Sequence, residues 1–213
     1  MTETPTETPA VPDALGFGFA EIATLASLRD GDASVLSAEA LRVDNYLGNT
    51  DMISAGASSL VARGLATAQT DGKLAVAGPT AAVATALSSA TRRMEISLLT
   101  AEGGDSVIGV ESPDIQLIFQ PRAYFTWWAM AQRPDLTAAE ANLLVVKQHL
   151  RDNPQGGATL RRREEATGQT LYVKKGEGSW TVGTSSRGQQ GISETTGLDD
   201  AALLAQIRTI RQD

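Results

Sequence analysis

Cysteine is absent from the 213 residues. Disulfides, thiolate catalysis, iron–sulfur clusters and cysteine zinc sites are thereby excluded, although the absence does not fix the compartment. Histidine occurs once, as His149, so any catalytic triad built on imidazole depends on that residue. It falls late in a helical pattern beside Leu150 and Arg151, where a capping or surface role outweighs a catalytic one. Cations are also scarce, with 18 Lys and Arg against 25 Asp and Glu and a formal net charge of −7. That balance argues against bulk affinity for nucleic acid or anionic membranes, which both need clustered Lys and Arg. No run reaches the ~18 apolar residues of a membrane span. The opening MTETPTETPAVPD lacks the basic and apolar regions of a secretory signal. A cytoplasmic protein without a membrane partner is the expectation.

Catalytic syntax is missing as well. The stretches Gly56-Ala57-Ser58-Ser59-Leu60 and Gly183-Thr184-Ser185-Ser186-Arg187 both fail the second-glycine spacing of a nucleophile elbow. The interval from Gly64 to Gly72-Lys73 is too long for a phosphate loop, and no GxGxxG occurs. Asp30-Gly31-Asp32 lacks the later ligands of a calcium loop and reads as a turn. The sequence therefore predicts no enzyme, no cofactor and no metal.

With 42% hydrophobic residues, the chain can bury one good core or two small subdomains sharing an interface. Residues 1–13 repeat Thr-Glu-Thr-Pro and read as a disordered tail. Apolar spacing predicts a helix, or a strand and helix, from Ala14 to Leu28. A second helix is predicted from an N-cap at Ser37 to Gly48, and a third over 52–66 after the Asn49-Thr50-Asp51 cap. Gly56 in the middle of that third helix signals close backbone packing, since glycine there otherwise costs about 1 kcal/mol. Asp71-Gly72 marks a tight turn, and Gly78-Pro79 opens a helix whose C-terminus Arg92 and Arg93 complement.

After Arg93 the apolar period changes from helical to alternating. MEISLLT, VIGVES and IQLIFQ read as an antiparallel meander, followed by the aromatic run Tyr124 to Met130 as a further strand. Thr137 with Glu140 forms a capping box for a helix faced by Ala141, Leu144, Val145 and Leu150. The breaker cluster Asn153-Pro154-Gln155-Gly156-Gly157 places a subdomain joint. Beyond it, ATLRRRE, TLYVKKG and SWTVGTS read as a second meander with Leu171, Val173, Trp180 and Val182 inward. A polar loop over 185–197 and an amphipathic closing helix over 198–211 complete the chain. The prediction is an α+β fold, helices packed on antiparallel β-meanders, in two subdomains spanning 14–152 and 157–213.

Two surfaces stand out as partner sites. If 124–130 is a strand, Tyr124, Trp128 and Met130 share one face and Phe125, Trp127 and Ala129 the other, so both faces are apolar. The second face is then covered either by the 137–150 helix or by another molecule. The second candidate is the basic run Arg161-Arg162-Arg163, in which Arg161 and Arg163 point together and Arg162 away. It reads either as a solvated edge that resists β aggregation or, with Lys174 and Lys175 from the neighbouring strand, as a patch for an acidic partner.

The order of elements over 37–77, with Leu60-Val61-Ala62-Arg63-Gly64-Leu65 and a wing at Asp71-Gly72-Lys73, resembles a winged helix-turn-helix. Over roughly residues 18–210 the chain resembles the EspG family, cytosolic chaperones of actinobacterial type VII secretion. Leu60 to Leu65, LSSATRRMEISLL over 87–99 and the stretch from Ala158 to Gly183 carry that likeness. It implies α/β halves of helices and antiparallel strands, no catalytic motif and a helical secretion substrate as partner. The functional expectation is a non-enzymatic, chaperone-like protein-binding adaptor whose partner is another protein or a second copy as a homodimer. A winged-helix transcriptional regulator is the alternative, with nucleic acid disfavoured by the charge balance.

Overall fold

A computed structural model of the protein describes residues 14–164, 168–188 and 191–213. The expected tail over 1–13 lies outside these residues, as does part of the turn expected at Ala166-Thr167. The chain opens with β1 (Leu15–Gly18), α1 (Phe19–Ser27) and α2 (Asp32–Ala40). A 3-10 turn at Asp44–Tyr46 leads to α3 (Thr50–Ala62), the hairpin β2 (Ala66–Ala68) and β3 (Leu74–Val76), and α4 (Gly78–Ser89). The meander follows as β4 (Arg92–Leu99), β5 (Gly104–Glu111), β6 (Gln116–Arg122) and, after a 3-10 turn at Ala123–Phe125, β7 (Thr126–Ala131). Then come α5 (Ala138–Asp152), β8 (Gly157–Arg162), β9 (Thr170–Lys175), β10 (Trp180–Ser185), β11 (Ser193–Leu198) and α6 (Asp200–Arg211). With six α-helices and eleven strands among the described residues, the fold is α+β as expected.

Apart from the β2–β3 hairpin, the strands form one antiparallel sheet in the order β1-β7-β6-β5-β4-β8-β9-β10-β11. The sheet runs without interruption past the breaker cluster at 153–157, because β8 pairs with β4 from Met94↔Arg162 to Leu99↔Gly157. Each half-sheet is roofed on a different side. Pairing in register puts Phe17, Trp127, Ala129, Phe119, Leu117, Ile108 and Val110 on one face. There they meet Ile22, Leu25, Leu60 and Leu87 from the helices of the first half. Met94, Ile96, Leu160, Leu171, Val173 and Val182 point to the other face, against Val146 and Leu150 of α5 and Leu203, Ile207 and Ile210 of α6. Burying such side chains contributes roughly 1.5–3 kcal/mol each, so each roof is held by its own apolar layer. The outcome is a sheet whose first half is open on the side where its second half is covered, and the reverse.

Local signals explain most boundaries. The Asn49 side chain accepts from the Met52 amide at 3.0 Å and starts α3. Thr137 and Glu140 close the predicted capping box at α5, the Glu140 carboxylate accepting from the Thr137 amide at 2.8 Å. Gly56 does mark a close approach: a Cβ there would lie 2.2 Å from the Ala20 carbonyl oxygen, where α1 crosses α3.

Several expectations are corrected. Ser37 is not an N-cap but a buried residue inside α2, donating its hydroxyl to the Leu87 carbonyl at 2.6 Å and accepting from Arg93 Nε at 3.0 Å. Arg92 and Arg93 do not close α4, because Ala90 is already extended and both arginines belong to β4, with Arg93 buried. The loop expected over 185–197 contains β11, whose polar side chains face water. The basic run is no sheet edge, since β8 lies between β4 and β9. Tyr124 and Phe125 are not in a strand; both have positive φ, 58° and 56°, in the turn that precedes β7.

Candidate functional site

The five residues singled out from sequence fall in three places. Trp128 and Met130 stand on the open face of the first half-sheet, beside Gly16 and Ile118. Trp128 is 42% exposed, and its indole lies over Gly16, where an added Cβ would meet Trp128 Cε2 at 3.5 Å. Helix α5 covers β4, β8 and β9, so the roof expected over this face lies instead on the other half.

Arg161 and Arg163 occupy the opposite side of the sheet, on the open face of the second half. Alternation along β8 points them together and Arg162 away, as expected. The acid that organises them is Glu95 on β4, directly opposite Arg161 in register. Arg161 Nε donates to Glu95 Oε2 at 2.7 Å and Arg163 Nη1 to the same oxygen at 3.1 Å. Burial pushes the Glu95 carboxyl up, but these two guanidiniums outweigh it and hold the group below its ordinary range. Arg93 lies deeper, donating to Glu164 Oε1 at 2.7 Å and to the Ala90 carbonyl. Together with Arg187 and Leu36 they line a cleft of about 570 Å³. Lys174 on β9 shares this face and Lys175 does not, because Val173 and Lys175 alternate into the α6 side.

Tyr124 belongs to a third site. The turn Ala123–Phe125 carries Tyr124 at φ 58° and ψ 34°, and leaves Tyr124 93% and Phe125 81% exposed. A bulky residue in the left-handed region costs on the order of 1–2 kcal/mol, so two in succession form a strained display. Behind them opens a pocket of about 540 Å³ lined by Phe19, Tyr46, Pro121 and Trp127 and flanked by Arg42 and Arg122. Phe19 contacts Tyr46 with ring centroids 5.3 Å apart and meets Phe125 edge-on at 6.4 Å.

No protein-family model matches this chain, and no curated protein matches it either.

The unit over 50–76 is α3 followed by the β2–β3 hairpin. Its two cations are already engaged. Arg63 pairs with the buried Glu21 at 2.6 Å and donates to the Gly16 carbonyl, while Lys73 pairs with Asp71 at 3.1 Å. His149 Nε2 lies 3.0 Å from the Leu99 carbonyl oxygen, tying the last turn of α5 to the end of β4. Among the described residues no group of three His, Asp or Glu side chains is placed to hold a metal ion, and no helix is long and apolar enough to cross a membrane.

Sequence reading missed Phe19, Tyr46 and Arg42 as site residues. Their convergence is tertiary, and nothing local announces it: left-handed backbone is usually flagged by glycine or asparagine, not by arginine or an aromatic. Glu95 and Glu21, the acids that fix the arginines, were hidden for a similar reason, since their partners lie 66 to 68 and 42 residues away.

Proposed function

We propose that this protein is a non-enzymatic, chaperone-like adaptor that binds another protein in the cytoplasm. The observation that carries the reading is Trp128, which stands 42% exposed on the half-face away from the first-half helices, beside Met130 and opposite Gln120 in register. A wet face of an antiparallel sheet is normally polar at every second position, as Gln116, Gln120 and Arg122 are along β6, and Trp128 with Met130 breaks that pattern on β7. Trp and Met are enriched at protein interfaces, and Trp among their hot spots. The resemblance to the EspG family supports a helical secretion substrate as the partner, and self-association through the same half-face is the competing outcome.

Charge supports protein over nucleic acid. A DNA reader needs free cations to neutralise phosphate. In the winged segment Arg63 and Lys73 are paired to carboxylates, and the whole chain is at −7.

A Trp128→Asp variant tests the reading. Because the side chain is 42% exposed and outside both apolar layers, its thermal melting should stay close to that of the parent, while capture of the partner from the native cell is lost. Retained capture would remove this half-face as the docking surface. A gel shift with random duplex at low salt should show no binding; salt-dependent retardation would instead favour the winged-helix regulator.

A further inference from the structure

The lining of the pocket behind Tyr124 and Phe125 includes neither Trp128 nor Met130. Among the described residues four non-glycine positions have positive φ, and three of them, Arg42, Tyr124 and Phe125, line this one pocket. Such backbone persists only where surrounding structure over-determines it, and it clusters at ligand clamps. Here it turns two aromatic rings outward over an aromatic wall of Phe19, Tyr46 and Trp127. The volume of about 540 Å³ falls within the usual range for binding pockets.

Charge narrows the occupant. Arg122 donates to the neutral Gln120 side chain at 2.8 Å, and the Arg42 guanidinium has no hydrogen-bond or ion-pair partner among the described residues. Among the described residues no carboxylate lines the pocket. By contrast, Arg63, Arg93, Arg161, Arg163 and Arg211 are all held by Asp or Glu. Two uncompensated guanidiniums beside an apolar cavity complement an apolar side chain with carboxylates next to it in the chain.

We propose that this pocket receives an acidic, apolar segment of the partner protein. An aromatic or branched side chain enters the pocket beside the Phe19–Phe125 ring pair, and flanking carboxylates meet Arg42 and Arg122. The assignment rests on the protein-binding reading and gives the partner's anchor a chemistry.

The experiment is an NMR titration of the full chain with three capped pentapeptides: Glu-Asp-Phe-Glu-Leu, its counterpart with lysine at each acidic position, and its counterpart with alanine for Phe and Leu. The first should shift the amide resonances of Arg42, Tyr124 and Phe125, and the other two should leave them in place. An Arg42→Gln/Arg122→Gln double variant should weaken the first peptide about tenfold or more. Phe125→Gly should abolish binding without lowering the melting temperature, because glycine accepts positive φ freely. Trp128→Asp should leave peptide binding intact, so failure of the half-face and failure of the pocket read out separately. Equal binding of the lysine peptide, or shifts confined to other surfaces, would overturn the proposal. So would N-acetyl-phenylalanine binding as tightly as the peptide, which would mark a site for a small carboxylic acid. A rise in peptide affinity on removal of residues 1–13, which carry Glu3, Glu7 and Asp13, would make the chain's own start the occupant and equally overturn it.

Discussion

At the residue scale, the strongest constraints are places where a side chain has been reduced to nothing or fully enclosed. Gly56 is the sharpest, because α1 and α3 approach until an added Cβ would sit 2.2 Å from a backbone oxygen and 2.3 Å from Thr24 Oγ1. Thr24 in turn donates to the Ala20 and Ile53 carbonyls at 2.9 and 3.0 Å, locking the crossing that glycine permits. Gly56→Ala should therefore destabilise the protein by about 3 kcal/mol, even though alanine is the better helix former. Thermal denaturation checks it, and an unchanged or raised melting temperature would mean that the two helices can separate at no cost. Arg93 shows the opposite case, a charge enclosed by Ser37, Glu164 and the carbonyls of Ala33 and Ala90. Its sequence neighbourhood looked like a helix C-terminus, where arginine is common, and only the distant partners reveal the burial.

At the scale of elements, β4 and β8 are joined by their ladder and by the Glu95–Arg161–Arg163 cluster. The carboxyl of Glu95 is held below its ordinary value of 4.5, so folding favours its ionised form. The stabilisation is complete above pH 4.5 and is lost as pH falls through the lower folded-state value. A Glu95→Gln variant should therefore be less stable than the parent at pH 7, with the difference shrinking in acid. Urea titrations at pH 7 and pH 3 measure this, and a difference that does not change with pH would remove the ionic contribution. Elements with a local cause were legible beforehand: the Thr137–Glu140 box, the Asn49 cap, the Asp71-Gly72 turn and the alternation of 94–119. Boundaries set by partners far along the chain were not. The aromatic run at 124–130 predicts an unbroken strand, because Tyr, Phe and Trp are strong strand formers. Tertiary packing of Phe19 against Phe125 accompanies the turn that overrides that preference. β11 was hidden because a strand reading SETTGL carries no apolar alternation.

At the scale of the whole molecule, the two apolar layers lie on opposite faces yet share β5, which gives Ile108 and Val110 to one and Val107 to the other. Arg211 of α6 crosses to Glu111 of β5 with bonds of 2.8 and 2.9 Å, and Arg93 of β4 reaches Ser37 of α2. The halves should consequently unfold together. Trp127 reports on the first layer and Trp180 on the second, so single-tryptophan variants keeping one or the other can be followed by emission in urea. Coincident midpoints are expected, and well-separated ones would show two independently folding units. The staggered roofing also gives the molecule two bare surfaces with opposite sensitivities. Sulfate and similar excluded salts strengthen apolar association, so a contact seated over Trp128 and Met130 tightens as they are added. A contact seated over Arg161, Arg163 and Lys174 loosens, since mobile ions screen exposed charges within a Debye length of about 8 Å at physiological ionic strength. The composition of the medium alone thus sets which side of the sheet is the stickier one.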